Sequence, residues 1–301
     1  MFRYLKAPLV VLVFLALAVA AQAAEEDSMY VGWKKSLIVD ITTTQTAYSN
    51  SWVGGEAGSV NWVGNLNGKA SKYLKEWFEL RSSLKMSFGQ TLTQDEETRD
   101  WSKPKKSTDL IDFENVGLFV LHKYVDPYVA FRLESQFYDG SHPAKKLFFS
   151  PIKLTESAGA ARKFYEKKDD FVLSRLGFGF RQIIQKYIAD TLTLATESET
   201  STDGGIESVT DASLSLHDNI KYTGKLTLFK ALFYSKSDEV KGTEYEDYWK
   251  AVDVNWENII SASVTKIVTV NLYTQVLYDK EISKKSRIKE TVAIGFVFKM
   301  M

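Results

Sequence analysis

The chain has 301 residues, with 38 basic and 38 acidic side chains, three histidines and no cysteine. A formal charge of zero gives no electrostatic basis for binding nucleic acid, and the absence of thiols excludes disulfides and a lipid-anchored cysteine. Hydrophobic residues make up 45% and prolines number only five, so the composition fits one large all-β domain with no linker.

The first predicted element is an export signal over residues 1–24. Arg3 and Lys6 form its basic start, Leu9 to Ala20 its apolar stretch, and Ala21-Gln22-Ala23 a small-x-small cleavage site. The apolar stretch is shorter than the roughly 20 residues a membrane-spanning helix needs. Removing the signal leaves residues 25–301 as a single domain with 36 basic and 38 acidic groups.

Beyond the signal, side chains alternate with period two, the signature of strands with unlike faces. From Trp77 to Gly89, Phe78, Leu80, Leu84, Met86 and Phe88 share one face, and Glu79, Arg81, Ser83, Lys85 and Ser87 the other. Val129, Phe131 and Leu133 alternate with Arg132 and Glu134. Val252, Val254, Trp256 and Ile260 alternate with Asp253, Asn255, Glu257 and Ser261. In the last stretch Ile288, Val292, Ile294, Phe296 and Phe298 oppose Arg287, Lys289, Thr291 and Lys299, with Glu290 out of place. The predicted strands are 34–48, 57–69, 76–92, 109–122, 127–139, 149–165, 171–185, 207–217, 220–234, 248–264, 267–279 and 287–300. Reading Thr191 to Leu194 as a further strand would raise the number to fourteen.

A soluble sandwich would show the same alternation with its faces reversed. Strands of ten or more residues, aromatic residues near strand ends (Trp33, Trp62, Trp77, Tyr222, Trp249, Tyr278) and long connections alternating with short ones favour an antiparallel transmembrane β-barrel. Leu80, Leu84, Phe131, Leu133, Leu272, Ile294 and Phe296 then face lipid, and the long segments 93–108 and 186–206 lie on one side of the membrane. The environment this implies is outer-membrane lipid and lipopolysaccharide, reached through the barrel-assembly machinery, with the chain a monomer.

Trp52-Val53-Gly54-Gly55-Glu56 and the later run Val252 to Glu257, Val264-Thr265-Lys266 and Leu277-Tyr278-Asp279 resemble a domain-of-unknown-function family of Gram-negative outer-membrane β-barrels. The first stretch is similar to that family's tryptophan and Gly-Gly-Glu signature. Val53 and Lys34-Lys35 stand where the family tends to smaller or polar residues. The resemblance implies location and architecture and carries no functional residue. Read physically, Gly54-Gly55 is a turn and Trp52 an interfacial anchor.

No catalytic pattern emerges. His122, His142 and His217 lack a serine two residues on. Asp211, Ser213, Ser215 and His217 share a face, but i and i+2 positions on a strand lie too far apart for a direct hydrogen bond. Asp95-Glu96-Glu97 reads as a solvated loop, and Gly177 and Gly179 as space for bulky neighbours, so no metal and no cofactor is expected. The informative chemistry is the inward face. Asp40, Glu79, Arg81, Lys85, Arg132, Glu134, Arg175, Arg181, Lys221, Lys225, Asp253, Glu257 and Lys289 are predicted to line a lumen. Glu79, Arg81, Arg132, Glu134, Asp253 and Glu257 are the candidate network, because charges in a tight interior must pair or stay hydrated. The functional expectation is a structural or narrow-channel, porin-like protein for small polar solutes, with a rim-located lipid- or lipopolysaccharide-modifying enzyme as the alternative.

Overall fold

The structure is a computed structural model that describes residues 32–46, 57–121, 123–167 and 170–300. Twelve antiparallel strands close into a barrel, as the alternation implies. In chain order they are β1 (Lys34–Thr46), β2 (Ser59–Lys75), β3 (Phe78–Thr93), β4 (Lys105–Phe119), β5 (Asp126–Ser135), β8 (Ile152–Lys167), β9 (Asp170–Asp190), β10 (Ala195–His217), β11 (Ile220–Tyr234), β12 (Val252–Ser263), β13 (Val268–Tyr278) and β14 (Arg287–Met300). The two-residue strands β6 (Tyr138–Asp139) and β7 (Leu147–Phe148) form a separate small hairpin. Sequence neighbours pair around the ring, and β1 meets β14 to close it. Among the described residues the closing ladder holds six register pairs, from Leu37 opposite Met300 to Thr42 opposite Gly295, whereas β1 and β2 share thirteen.

Several predicted boundaries need correction. β4 begins at Lys105, not 109, and β8 at Ile152, not 149. The largest change concerns 186–206, read as a loop. β9 runs on to Asp190 and β10 starts at Ala195, so only 191–194 is a turn. Thr191 to Leu194 therefore ends a tall hairpin, and no fourteen-stranded ring forms. The sequence hides this because Thr196 to Thr202 is polar on both faces. Above the barrel wall both faces of a hairpin meet water, and nothing enforces alternation.

Short turns at 76–77, 218–219 and 264–267 gather at the end that also holds the start of β1 and the end of β14. The connections 94–104, 136–151, 191–194, 235–251 and 279–286 gather at the other. Short turns at one rim and longer loops at the other match outer-membrane barrels. Rings mark both rims. Trp77 stacks on Phe119 at 6.1 Å beside Phe78 at the turn end, and Trp62 lies 5.9 Å from Phe88 towards the loop end.

The surface is inverted relative to a water-soluble protein. Outward side chains such as Leu176 (59% exposed), Ile294 (64%) and Trp256 (47%) are open, while Arg175 is 2% exposed inside. Leu80, Leu84, Phe131, Leu133 and Leu272 lie on the same outward faces, half-buried against their neighbours. The side chain of Phe296 lies outside the described residues. An apolar exterior around a charged interior belongs in lipid.

Candidate functional site

The inward register brings charges from distant parts of the chain together. On β3, Arg81 donates to Glu79 at 2.7 Å, and Lys163 of β8 reaches the same carboxylate at 3.1 Å. Arg132 of β5 clasps Asp112 of β4 through Nε and Nη2, both at 2.9 Å, and meets Glu134 at 3.1 Å. Glu134 in turn is 3.4 Å from Lys153. Nearer the loop end, Arg181 of β9 grips Asp203 of β10 at 2.7 and 2.5 Å and Asp253 of β12 at 2.8 Å. Its guanidinium lies 3.6 Å from the centre of the Phe229 ring. Two-pronged arginine–carboxylate contacts are directional and fix both partners.

Longer contacts cross the interior. Lys225 of β11 donates to Glu114 of β4 at 2.6 Å, and Arg175 of β9 reaches the other oxygen of Glu114 at 2.7 Å while also meeting Asp211 at 3.2 Å. Lys85 of β3 donates to Glu257 of β12 at 3.1 Å. Six strands separate β3 from β12 on one side of the ring, and four, β13, β14, β1 and β2, on the other. The Lys85–Glu257 pair thus divides the lumen into two arcs. The six-strand arc is filled: the ion pairs sit above an apolar cluster of Val116, Leu118, Tyr128, Ala161 and Leu173. Glycine makes room for it, since a Cβ at Gly177 would lie 2.2 Å from the Ala158 carbonyl oxygen and 2.8 Å from the Tyr128 hydroxyl. The four-strand arc is lined by carboxamides and hydroxyls. Asn65 donates to Asp40 at 2.8 Å, Ser87 to Asn65 at 2.6 Å and Thr91 to Asn61 at 2.9 Å.

Of the six candidate residues, the structure joins Glu79 to Arg81 and Arg132 to Glu134, and gives Asp253 and Glu257 to Arg181 and Lys85. Sequence reasoning missed Asp112, Glu114, Asp203 and Lys163, and weighed Asp211 only beside His217, not as a lumen charge. Asp112 and Glu114 precede Val116 and Leu118 on one face of β4, so charged and apolar residues share the inward side and blur the alternation. Their period-two spacing was the available signal. Asp203 fell in the stretch taken for a loop.

At the loop-end mouth, Glu281 stands among Asp279, Asp253 and Asp203. Reduced contact with water, and then the neighbouring negative charges, push its carboxyl up to about 7. In the 94–104 loop, Asp95 accepts from the amides of Glu97 and Thr98, which close the turn and hold its carboxyl below the usual range. His217 contacts Asn219 at 3.0 Å and Ser215 donates to Asp170 at 2.8 Å, so no serine–histidine pair forms there. His142 accepts the Ala144 amide in a turn. His122 and the stretch Trp52 to Glu56 lie outside the described residues.

Closed ring, apolar wall and charged interior define an outer-membrane β-barrel. Residues 43–140 match the model of a family described as protein of unknown function (DUF3078). That segment contains Trp52 to Glu56, while the run from Val252 lies outside it. No curated protein matches the sequence. Among solved structures, an outer-membrane channel from Pseudomonas putida F1 is similar, at 13% identity over 93% of this chain and 100% of that one, with a TM-score of 0.44. The translocator domain of the autotransporter NalP from Neisseria meningitidis aligns at 9% identity over 98% of this chain and 96% of its own, with a TM-score of 0.36. The NanC porin aligns at 10% identity over 88% and 100%, with a TM-score of 0.35.

Proposed function

We propose that the protein is a narrow channel for small polar solutes, its bore restricted by the charge network built on Glu79, Arg81, Arg132, Glu134, Asp253 and Glu257. The observation that supports this reading is the Lys85–Glu257 pair, which bridges the lumen at 3.1 Å and confines any passage to one arc. Paired charges recover hydration that single charges in a tight interior lose, which favours a closed or narrowed bore. Residues 1–24 act as the export signal in this reading, and 25–301 as the exported barrel. Lipid and lipopolysaccharide surround the wall, and the assembly machinery inserts it as a monomer. N-terminal sequencing of the outer-membrane fraction should begin at or next to Glu25.

Planar-bilayer recording tests the channel. The unmodified protein should give small or intermittent conductance, and Arg132→Ala, which releases Asp112 and Glu134, should raise it. A large, steady conductance indifferent to that substitution would mean that the charges line open water. Lipid hydrolysis measured on the same sample should stay at background; turnover there would move the reading to an enzyme.

A further inference from the structure

The lumen charges differ in whether they are paired. Asp40 is 7% exposed, Glu114 8% and Glu257 9%, each held by a side-chain donor, and the more open Glu134, Asp211 and Asp253 are each paired with an arginine. Three inward lysines are open. Lys69 of β2, Lys221 of β11 and Lys289 of β14 are exposed, and among the described residues none of them has a carboxylate within ion-pair distance. Lys69 faces Ser36 and Ser83 across its two ladders. Lys289 lies opposite Gln275, with its ammonium 3.5 Å from the Thr108 hydroxyl and 5.8 Å from the centre of the Tyr273 ring. Two of the three, Lys69 and Lys289, belong to the four-strand arc, where Asp40 is the acid in the middle of the wall and is capped by Asn65. Asn67 and Asn271 face the same space with amide donors that no described side chain takes up.

We propose that this arc is a water-filled passage selective for small anions, with Lys69 and Lys289 as its fixed positive charges and Asn67 and Asn271 as hydrogen-bond donors between them. The inference rests on the channel reading and adds the class of solute. Exposed charges of one sign in a low-dielectric bore concentrate counter-ions, and covered, paired charges contribute little to that field. Donor-rich carboxamides solvate an anion as it sheds water.

The absence of native cysteine permits a direct test. Asn67→Cys and, as a second site, Asn271→Cys are placed in the folded, detergent-purified barrel. Each is reacted with a sulfonate-bearing and a trimethylammonium-bearing thiosulfonate of similar size. The anionic reagent should react about tenfold faster, the scale of modest electrostatic steering. Lys69→Gln with Lys289→Gln should remove that preference. Equal rates, a faster cationic reagent, or no labelling of either cysteine in heat-modifiable, folded protein would overturn the proposal. Reversal potentials across a potassium chloride gradient separate the two readings. Anion-favoured labelling without measurable current defeats the channel and the passage with it. Current with cation preference defeats the passage and keeps the channel.

Discussion

The six-strand arc from β4 to β11 and the four-strand arc from β13 to β2 share one hydrogen-bonded ring but treat their interior differently. The first collects arginines and acids into clasped pairs over an apolar floor, with Arg175 2% and Asp112 4% exposed. The second presents carboxamides, hydroxyls and open lysines. A barrel gives its inward side chains no solvent of their own, so each arc either packs like a protein core or stays wet. Arginine–carboxylate clasps favour packing, because they satisfy several polar atoms at once. Single lysines and asparagines satisfy too few and keep water. The contrast teaches that the number of strands alone does not set the bore.

The sharpest way to break the comparison is Glu114→Ala. It strips Arg175 and Lys225 of their shared carboxylate and should cost about 3–5 kcal/mol, the scale of a broken buried pair. Asn67→Ala, on the wet arc, should stay within about 0.5 kcal/mol. Denaturant midpoints of the barrel in detergent read both, and equal losses would erase the distinction between the arcs. Next in size, Leu176→Arg on the outer wall should cost about 2–4 kcal/mol in a bilayer. A neutral result would mean that this face does not meet lipid. Lys85→Met cuts the divider between the arcs. Lys85 keeps more contact with water than Glu257, whose carboxylate would lose its only cation among the described residues, so a loss of about 1–3 kcal/mol is expected, together with a larger single-channel current. An unchanged current would show that the divider does not limit flow.

The smallest effect concerns the mouth. Because the Glu281 carboxyl is raised from 4.5 to about 7, its folded form prefers to be neutral. The associated stability is complete below about pH 4.5 and is lost as pH rises through about 7. Over the same window the mouth gains a negative charge, so anion preference should weaken as pH climbs. Glu281→Gln should flatten that dependence; a slope surviving in the variant would assign it to another group.

Sequence alone made the ring legible where one face is mostly apolar, as in β3, β12 and β14. It also placed Glu79, Arg81, Arg132, Glu134, Asp253 and Glu257 on inward positions. It could not show which partners they take. Glu257 finds Lys85, 172 positions away, only once the ring closes. It also lost the acids of β4, whose inward face carries both the pairs and the apolar floor, and the upper hairpin of β9 and β10. Alternation reports contact with two different surroundings, and it fades wherever both faces see the same one.

The ladder between β1 and β14 stops at Thr42 and Gly295, although β1 continues to Thr46 and β14 begins at Arg287. Among the described residues every other junction in the ring joins strands by at least eight register pairs, and this one by six. A closed cylinder is only as hard to unzip as its shortest ladder. Under load or heat the wall should part along this line, starting at the loop rim, where β14 is held by β13 alone. Backbone groups left unpaired there find no hydrogen-bond partners in hydrocarbon. The bilayer beside this junction should therefore thin or admit water, giving an otherwise uniform cylinder a preferred side towards the surrounding lipid.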